Sequence, residues 1–182
     1  MKSGKRVSHF SVKGGQEVVL RTPKWEDLDD LLALINSLVD ERADVIRSEK
    51  VSREEEIDWL SKVLCRLEKD EAFYMVAEVG GKVVGVSEIN RGGGYERHVG
   101  VIGIAIRSEF RDLGIGAEMM EVLVEQGRKI GLKILTLSAF ASNKRAIHVY
   151  EKAGFVQTGA IPKKHFKEGK YIDELIMTMV LE

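Results

Sequence analysis

The stretch 101–120 constrains this chain more than any other. An unbroken apolar run, Val-Ile-Gly-Ile-Ala-Ile at 101–106, precedes the glycine-spaced segment Arg111-Asp112-Leu113-Gly114-Ile115-Gly116-Ala117, and a further apolar-periodic run follows. The first run reads as a buried strand, the glycines as a tight turn and the remainder as a helix start. A strand that feeds a helix through such a turn gathers exposed amide N–H groups and the positive end of the helix dipole at one point, which makes an anion site. Gly114 and Gly116 let the backbone come close to an anion, because no Cβ stands in the way.

The elements around it read in order. Residues 1–15 are polar and glycine-bearing and are expected to form a flexible lead-in, with one domain over 16–182. A first strand is expected at 16–22. Leu28, Leu31, Leu32, Ile35, Leu38 and Val39 recur at helical spacing, and Ser52 opens a second helix with a Ser-Arg-Glu-Glu capping box. Cys65, Trp25 and Trp59 are expected in helix cores. Gly80-Gly81 joins two strands as a hairpin, a helix is expected at about 115–130 ahead of a strand at 132–140, and a short helix at 143–153 leads to a final strand pair. This alternation predicts a single α/β domain: a mixed, largely antiparallel sheet with a parallel central pair, flanked by helices.

Composition narrows the functional classes. The chain has 182 residues with 28 basic and 29 acidic side chains, so no net field points to nucleic acid. The lone cysteine excludes an intrachain disulfide framework and fits a reducing compartment. No apolar run approaches the length of a membrane span, so a cytoplasmic location and no membrane partner are expected. The histidines lack ligand spacing, and no metal is expected.

Three phosphate sites use a glycine turn of this kind. A P-loop needs Lys and Ser or Thr after its last glycine, where this chain has Ala117 and Glu118. A dinucleotide fold needs a third glycine where Met119 stands. The third is carried by two signatures. Arg111–Ala117 resembles the Q/R-x-x-G-x-G/A motif of the GNAT acetyltransferases, and 143–155 (N-K-R-A-I-H-V-Y-E-K-A-G-F) is similar to their N-x-x-A-x-x-x-Y-x-x-x-G-F. The end of the chain, F-K-E-G-K-Y-I-D-E-L-I-M, resembles the branch that acetylates free amino acids, small amines and ribosomal-protein N-termini.

The resemblance implies an acyl-CoA N-acyltransferase fold and an N-acetyltransferase that moves an acetyl group from acetyl-CoA to a primary amine in a ternary complex. It implies that Arg111 and the backbone of Asp112, Leu113, Gly114, Ile115, Gly116 and Ala117 cradle the pyrophosphate. The strand residues Ile104, Ala105 and Ile106 would flank the pantetheine arm, Asn143 would hydrogen-bond it, and Tyr150 would protonate the departing sulfur. A phenol is protonated at neutral pH and suits that role. The base stays open: Glu88, His98, or no side chain at all, since Ser138 and Val101 occupy positions where family members carry glutamate. Glu41, Asp44 and Arg47 could meet a charged acceptor. The partner expected is a small amine or a peptide or protein N-terminus, and a homodimer would be in keeping with the family. The competing class is a non-catalytic coenzyme A sensor.

Overall fold

The computed structural model describes residues 2–12 and 14–181. Among them, eight strands form one sheet in the order β1-β2-β3-β4-β5-β6-β8-β7. The strands are β1 (Arg6–Ser11), β2 (Glu17–Arg21), β3 (Ala72–Val79), β4 (Lys82–Arg91), β5 (Val99–Ile106), β6 (Ile134–Phe140), β7 (Val156–Lys167) and β8 (Lys170–Val180). The helices are α1 (Leu28–Asp40), α2 (Arg53–Glu68), α3 (Ile115–Lys129) and α4 (Lys144–Lys152). Every neighbouring pair runs antiparallel except β5 and β6.

Strand alternation divides the interior into two cores. Phe73, Met75 and Ala77 of β3 pack with α3 and α4, whereas Ala72, Tyr74 and Val76 pack with α1 and α2. Leu28, Leu31, Leu34 and Leu38 seat α1; Leu60, Val63 and Leu67 seat α2. Each such leucine contributes roughly 1.5–3 kcal/mol on burial. Ser52 caps α2 as expected: its hydroxyl accepts from the Glu55 N–H at 3.2 Å, and Glu55 accepts from the Ser52 N–H at 2.8 Å. At the entry to α1, buried Arg21 donates to both Asp27 carboxylate oxygens at 2.7 Å.

Three expectations are corrected here. The lead-in carries an edge strand, β1, paired with β2; its half-exposed residues left no apolar signal. Cys65 is exposed; two residues beyond Val63 it is turned about 200° from the buried stripe. Trp25 lies in a short 3-10 turn before α1 and is 47% exposed.

The feature that positions the site is a split in the sheet. β5 and β6 are paired only at Val99 with Ile134, Gly100 with Leu135 and Val101 with Thr136. Beyond that point β5 continues to Ile106 against β4, and β6 to Phe140 against β8. The two strands diverge, and the sheet opens between them.

Candidate active site

Register decides which backbone groups face the opening. The Arg107 N–H donates to the Val84 carbonyl and the Gly92 N–H to the Val99 carbonyl, both at 2.9 Å. In an antiparallel pair these contacts recur at every second residue, at Ala105 with Val86 and Gly103 with Glu88. Ile104 and Ile106 therefore turn their N–H groups to the opposite edge, toward the split. Ala105 does not: its backbone is committed to β4, and only its side chain reaches the cavity wall.

The split holds a cavity of about 960 Å³. Its wall includes Ile104, Ala105, Ile106, Arg111, Asp112, Gly114, Gly116, Ala117, Asn143, Tyr150 and Glu88. Leu113 and Ile115 point their side chains into the core and can offer only backbone. Asp112 and Gly114 adopt left-handed backbone, φ 62° and 94°. Among the described residues the N–H groups of Asp112 to Ala117 have no protein acceptor, and the first helical bond of α3 is Glu118 N–H to the Gly114 carbonyl at 3.2 Å. This run of free donors at a helix start is what a pyrophosphate needs. Arg111 is braced by its Nε on the Ile106 carbonyl at 2.9 Å, and its far end meets the Glu41 carboxylate. Ser87, on β4 opposite Ile104, is buried with no hydrogen-bond partner for its hydroxyl among the described residues. These features fit a coenzyme A arm.

Tyr150 is buried in the core formed with α3, and desolvation pushes its phenol up to about 12. Its hydroxyl has no protein partner among the described residues. Asn143 caps α4, its Oδ1 accepting the Ala146 N–H at 3.1 Å, which leaves its amide N–H groups to the cavity.

Glu88 and His98 part company. Glu88 pairs across β4–β5 with Gly103, on the sheet face of α1 and α2. Burial raises its pKa; a hydrogen bond from Asn90 and the charge of Arg66 offset this only in part. His98 is exposed at the closed end of the β5–β6 pair, where its carbonyl accepts from Lys133 and Ile134. Six residues of strand, about 20 Å, separate it from Ile104. The structure does not bring His98 to the cavity.

The α1–α2 loop is tied down rather than free. Besides Glu41 on Arg111, Asp44 takes Lys167 and the Ser142 hydroxyl (3.0 Å), and Arg42 meets Glu168 at 2.8 Å. Glu41 and Asp44 are thus paired within the protein, and Asp44 and Arg47 line the cavity wall. The sequence reading missed Glu174. This buried carboxylate of β8 also lines the cavity and accepts from His165 (3.0 Å) and Lys164. Burial alone would raise it, but those two donors outweigh burial and hold it below the usual carboxylate range. His165 in turn stacks on Phe140, centroids 3.8 Å apart. The signal for Glu174 was a lone inward acid in an alternating strand.

The sequence profile of the acetyltransferase (GNAT) family matches residues 28–155. The chain belongs to the GNAT family. Like other members it is an acetyl-CoA-dependent N-acetyltransferase. A curated relative, the L-methionine sulfoximine/L-methionine sulfone acetyltransferase of Pseudomonas paraeruginosa, is 22% identical over 158 residues, 86% of this chain and 90% of the relative. An L-amino acid N-acetyltransferase of Escherichia coli is 31% identical over 108 residues, 58% of this chain and 67% of that one. Among solved structures, yncA of Salmonella typhimurium, with its cofactor acetyl-CoA, superposes with a TM-score of 0.80 at 18% identity, over 91% of this chain and 94% of that one. That likeness is one of fold. Among the described residues no helix is long and apolar enough to cross a membrane, and no group of three or more His, Cys, Asp or Glu side chains is gathered as a metal site.

Proposed function

We propose that this GNAT enzyme, a single domain over 16–182, transfers acetyl from acetyl-CoA to a primary amine by direct attack in a ternary complex, with Glu88 as proton acceptor and Tyr150 as proton donor. One observation carries the reading. Glu88 lies on the α1/α2 face of the split sheet, Tyr150 belongs to the α3/α4 core, and both line the same cavity. An amine entering from one face and a thiol leaving toward the other would each meet the group it needs.

Acetyl-CoA supplies the acyl group as a thioester. Arg111 and the amides of Asp112 to Ala117 hold the pyrophosphate, and Asn143 and the edge of β5 hold the arm. An N–H of that edge, at Ile104 or Ile106, donates to the carbonyl oxygen as charge builds there. The amine nitrogen bonds to the carbonyl carbon, the C–S bond breaks, the amine proton goes to Glu88, and the sulfur takes the Tyr150 proton. With its pKa near 12, Tyr150 recovers a proton readily from Glu88 or solvent. The acceptor is an amino acid, a small amine or a protein N-terminus, and the names of the relatives favour the first. A cytoplasmic location, where acetyl-CoA is made and used, and action on small soluble acceptors without nucleic acid complete the reading.

The test is thiol release from acetyl-CoA across a panel of free amino acids, amines and peptides, with Glu88→Gln and Tyr150→Phe beside the wild type. Turnover with one acceptor class, depressed in both variants while acetyl-CoA still binds, supports the roles. Tight acetyl-CoA binding with no turnover on any acceptor would move the reading to a sensor.

A further inference from the structure

A second cavity, of about 460 Å³, shares Glu88 and Trp59 with the first and lies between α2 and strands β3 and β4. Its helical wall carries Lys62 and Arg66, with Lys69 at the C-cap of α2. Their spacing of four and then three residues keeps the cap residue on the side of the helix that carries the other two. Opposite stand Tyr74, Asn90 and Glu88, and a second acid, Glu71, also lines the wall.

Among the described residues Arg66 forms no salt bridge. Among the described residues Lys62 and Lys69 form no ion pair. Half-buried Arg66 is held at one atom only: Nη1 donates to the Tyr74 hydroxyl at 3.0 Å and to Asn90 Oδ1 at 2.8 Å. That fixes the guanidinium plane and leaves the Nε and Nη2 N–H groups without protein acceptors, the paired donors that match a carboxylate. Asn90, which accepts from Arg66, also acts on the Glu88 carboxylate two residues before it on β4 and lowers its pKa.

We infer that this second cavity is a carboxylate subsite, and that the acceptor is a free amino acid, with its amine at Glu88 and its carboxylate on the open edge of Arg66. The inference rests on the placing of the acceptor amine at Glu88. Lys62 and Lys69 add attraction toward the anion at the mouth. The open guanidinium edge selects against the alternatives: a protein N-terminus has converted that carboxylate to an amide, and a polyamine brings no anion to it.

The experiment compares a free amino acid with its own carboxamide, and with spermidine, as acceptors for the wild type, Arg66→Gln and Lys62→Gln/Lys69→Gln. The wild type should prefer the free acid to the carboxamide by about 10–100-fold in kcat/KM, the range expected for a charged hydrogen-bonded contact. Arg66→Gln should abolish most of that preference by slowing the acid alone. The lysine double variant should raise KM for the acid several-fold more than KM for the carboxamide, and weaken its salt dependence. A wild type that uses acid and carboxamide equally, or variants that slow both alike, would overturn the subsite. Glu88→Gln that keeps full rate on every acceptor would instead remove the placing of the amine on which it depends.

Discussion

Gly103 leaves free the volume that the Glu88 carboxylate borders: a Cβ on Gly103 would stand 3.1 Å from Glu88 Oε1 and 3.3 Å from its Cγ. The two are register partners across β4 and β5. Strand backbone at this position accepts alanine, so Gly103→Ala should leave the melting temperature unchanged or slightly raised through the lower entropy of the unfolded chain. The added methyl pushes the carboxylate by a few tenths of an ångström, enough to lower kcat by about tenfold, since misplacement by 1 Å costs about a hundredfold. Steady-state kinetics with a thermal melt separates the two effects. A fully active Gly103→Ala enzyme would show that the carboxylate has no demanding position to keep.

The pH profile follows from the same burial. Glu88 is raised above the ordinary 4.5 by desolvation, only partly offset by Asn90 and Arg66. Its protonated form accepts nothing, so kcat/KM should fall on the acid side with a midpoint above 4.5. Glu88→Gln should erase that limb, lower the rate by about 10²–10³, and keep the basic-side dependence set by the acceptor amine. For stability the sign is opposite to that of a salt-bridged acid. A carboxyl raised in the fold favours folding at low pH, and the contribution is lost as pH rises through the folded value. The Glu88→Gln enzyme should therefore gain in melting temperature relative to wild type as pH goes from 4 toward 8. A difference that shrinks over that range would contradict a raised Glu88.

Much of the fold is legible in local sequence signals. The leucine spacing of α1, the Ser52 capping box and the Gly80-Gly81 hairpin are local signals, and each became the element it announced. Gly114, Gly116, Asn143 and Tyr150, which the two motifs single out, line one cavity. What the chain does not spell out is register. Glu88 and His98 both sit near strand ends in the sequence, and only the pairing of β5 with β4 and with β6 sends one to the opening and the other to the closed end. Ala105 and Ile104 are adjacent and equally apolar, yet one spends its amide on β4 and the other faces the split. No local signal marks Arg66, because Tyr74 and Asn90, which fix it, come from the two strands that follow α2.

Tyr150→Phe is the cleanest chemical test. The ring packs in the α3/α4 core, while its hydroxyl has no protein partner among the described residues, so removing the oxygen disturbs no packing contact. Stability should change by less than about 1 kcal/mol. Turnover should fall by about 10²-fold with acetyl-CoA affinity held. Because the phenol stays protonated up to about 12, the wild-type basic limb should not move in the variant below that pH. Wild-type turnover in Tyr150→Phe would assign the leaving-group proton to another donor.

Gly114 and Gly116 should answer alanine differently. Gly114 caps α3 at φ 94°, where an L side chain is strained, so Gly114→Ala should cost about 1–2 kcal/mol of stability and distort the amide run together. Gly116 lies within the first turn in helical backbone, and an added Cβ would meet only Ile106 Cδ1 at 3.4 Å, an ordinary contact. Gly116→Ala should therefore be neutral or stabilising by up to about 1 kcal/mol from helix propensity. Both residues line the cavity, so each methyl crowds the place where the pyrophosphate is to lie. Acetyl-CoA affinity, measured by calorimetry, should fall about tenfold or more in both variants, with a lowered melting temperature only for Gly114→Ala. If Gly116→Ala binds acetyl-CoA as tightly as wild type, the phosphate does not approach this turn, and the cradle must be sought along Lys144 and Arg145 instead, which line the same cavity.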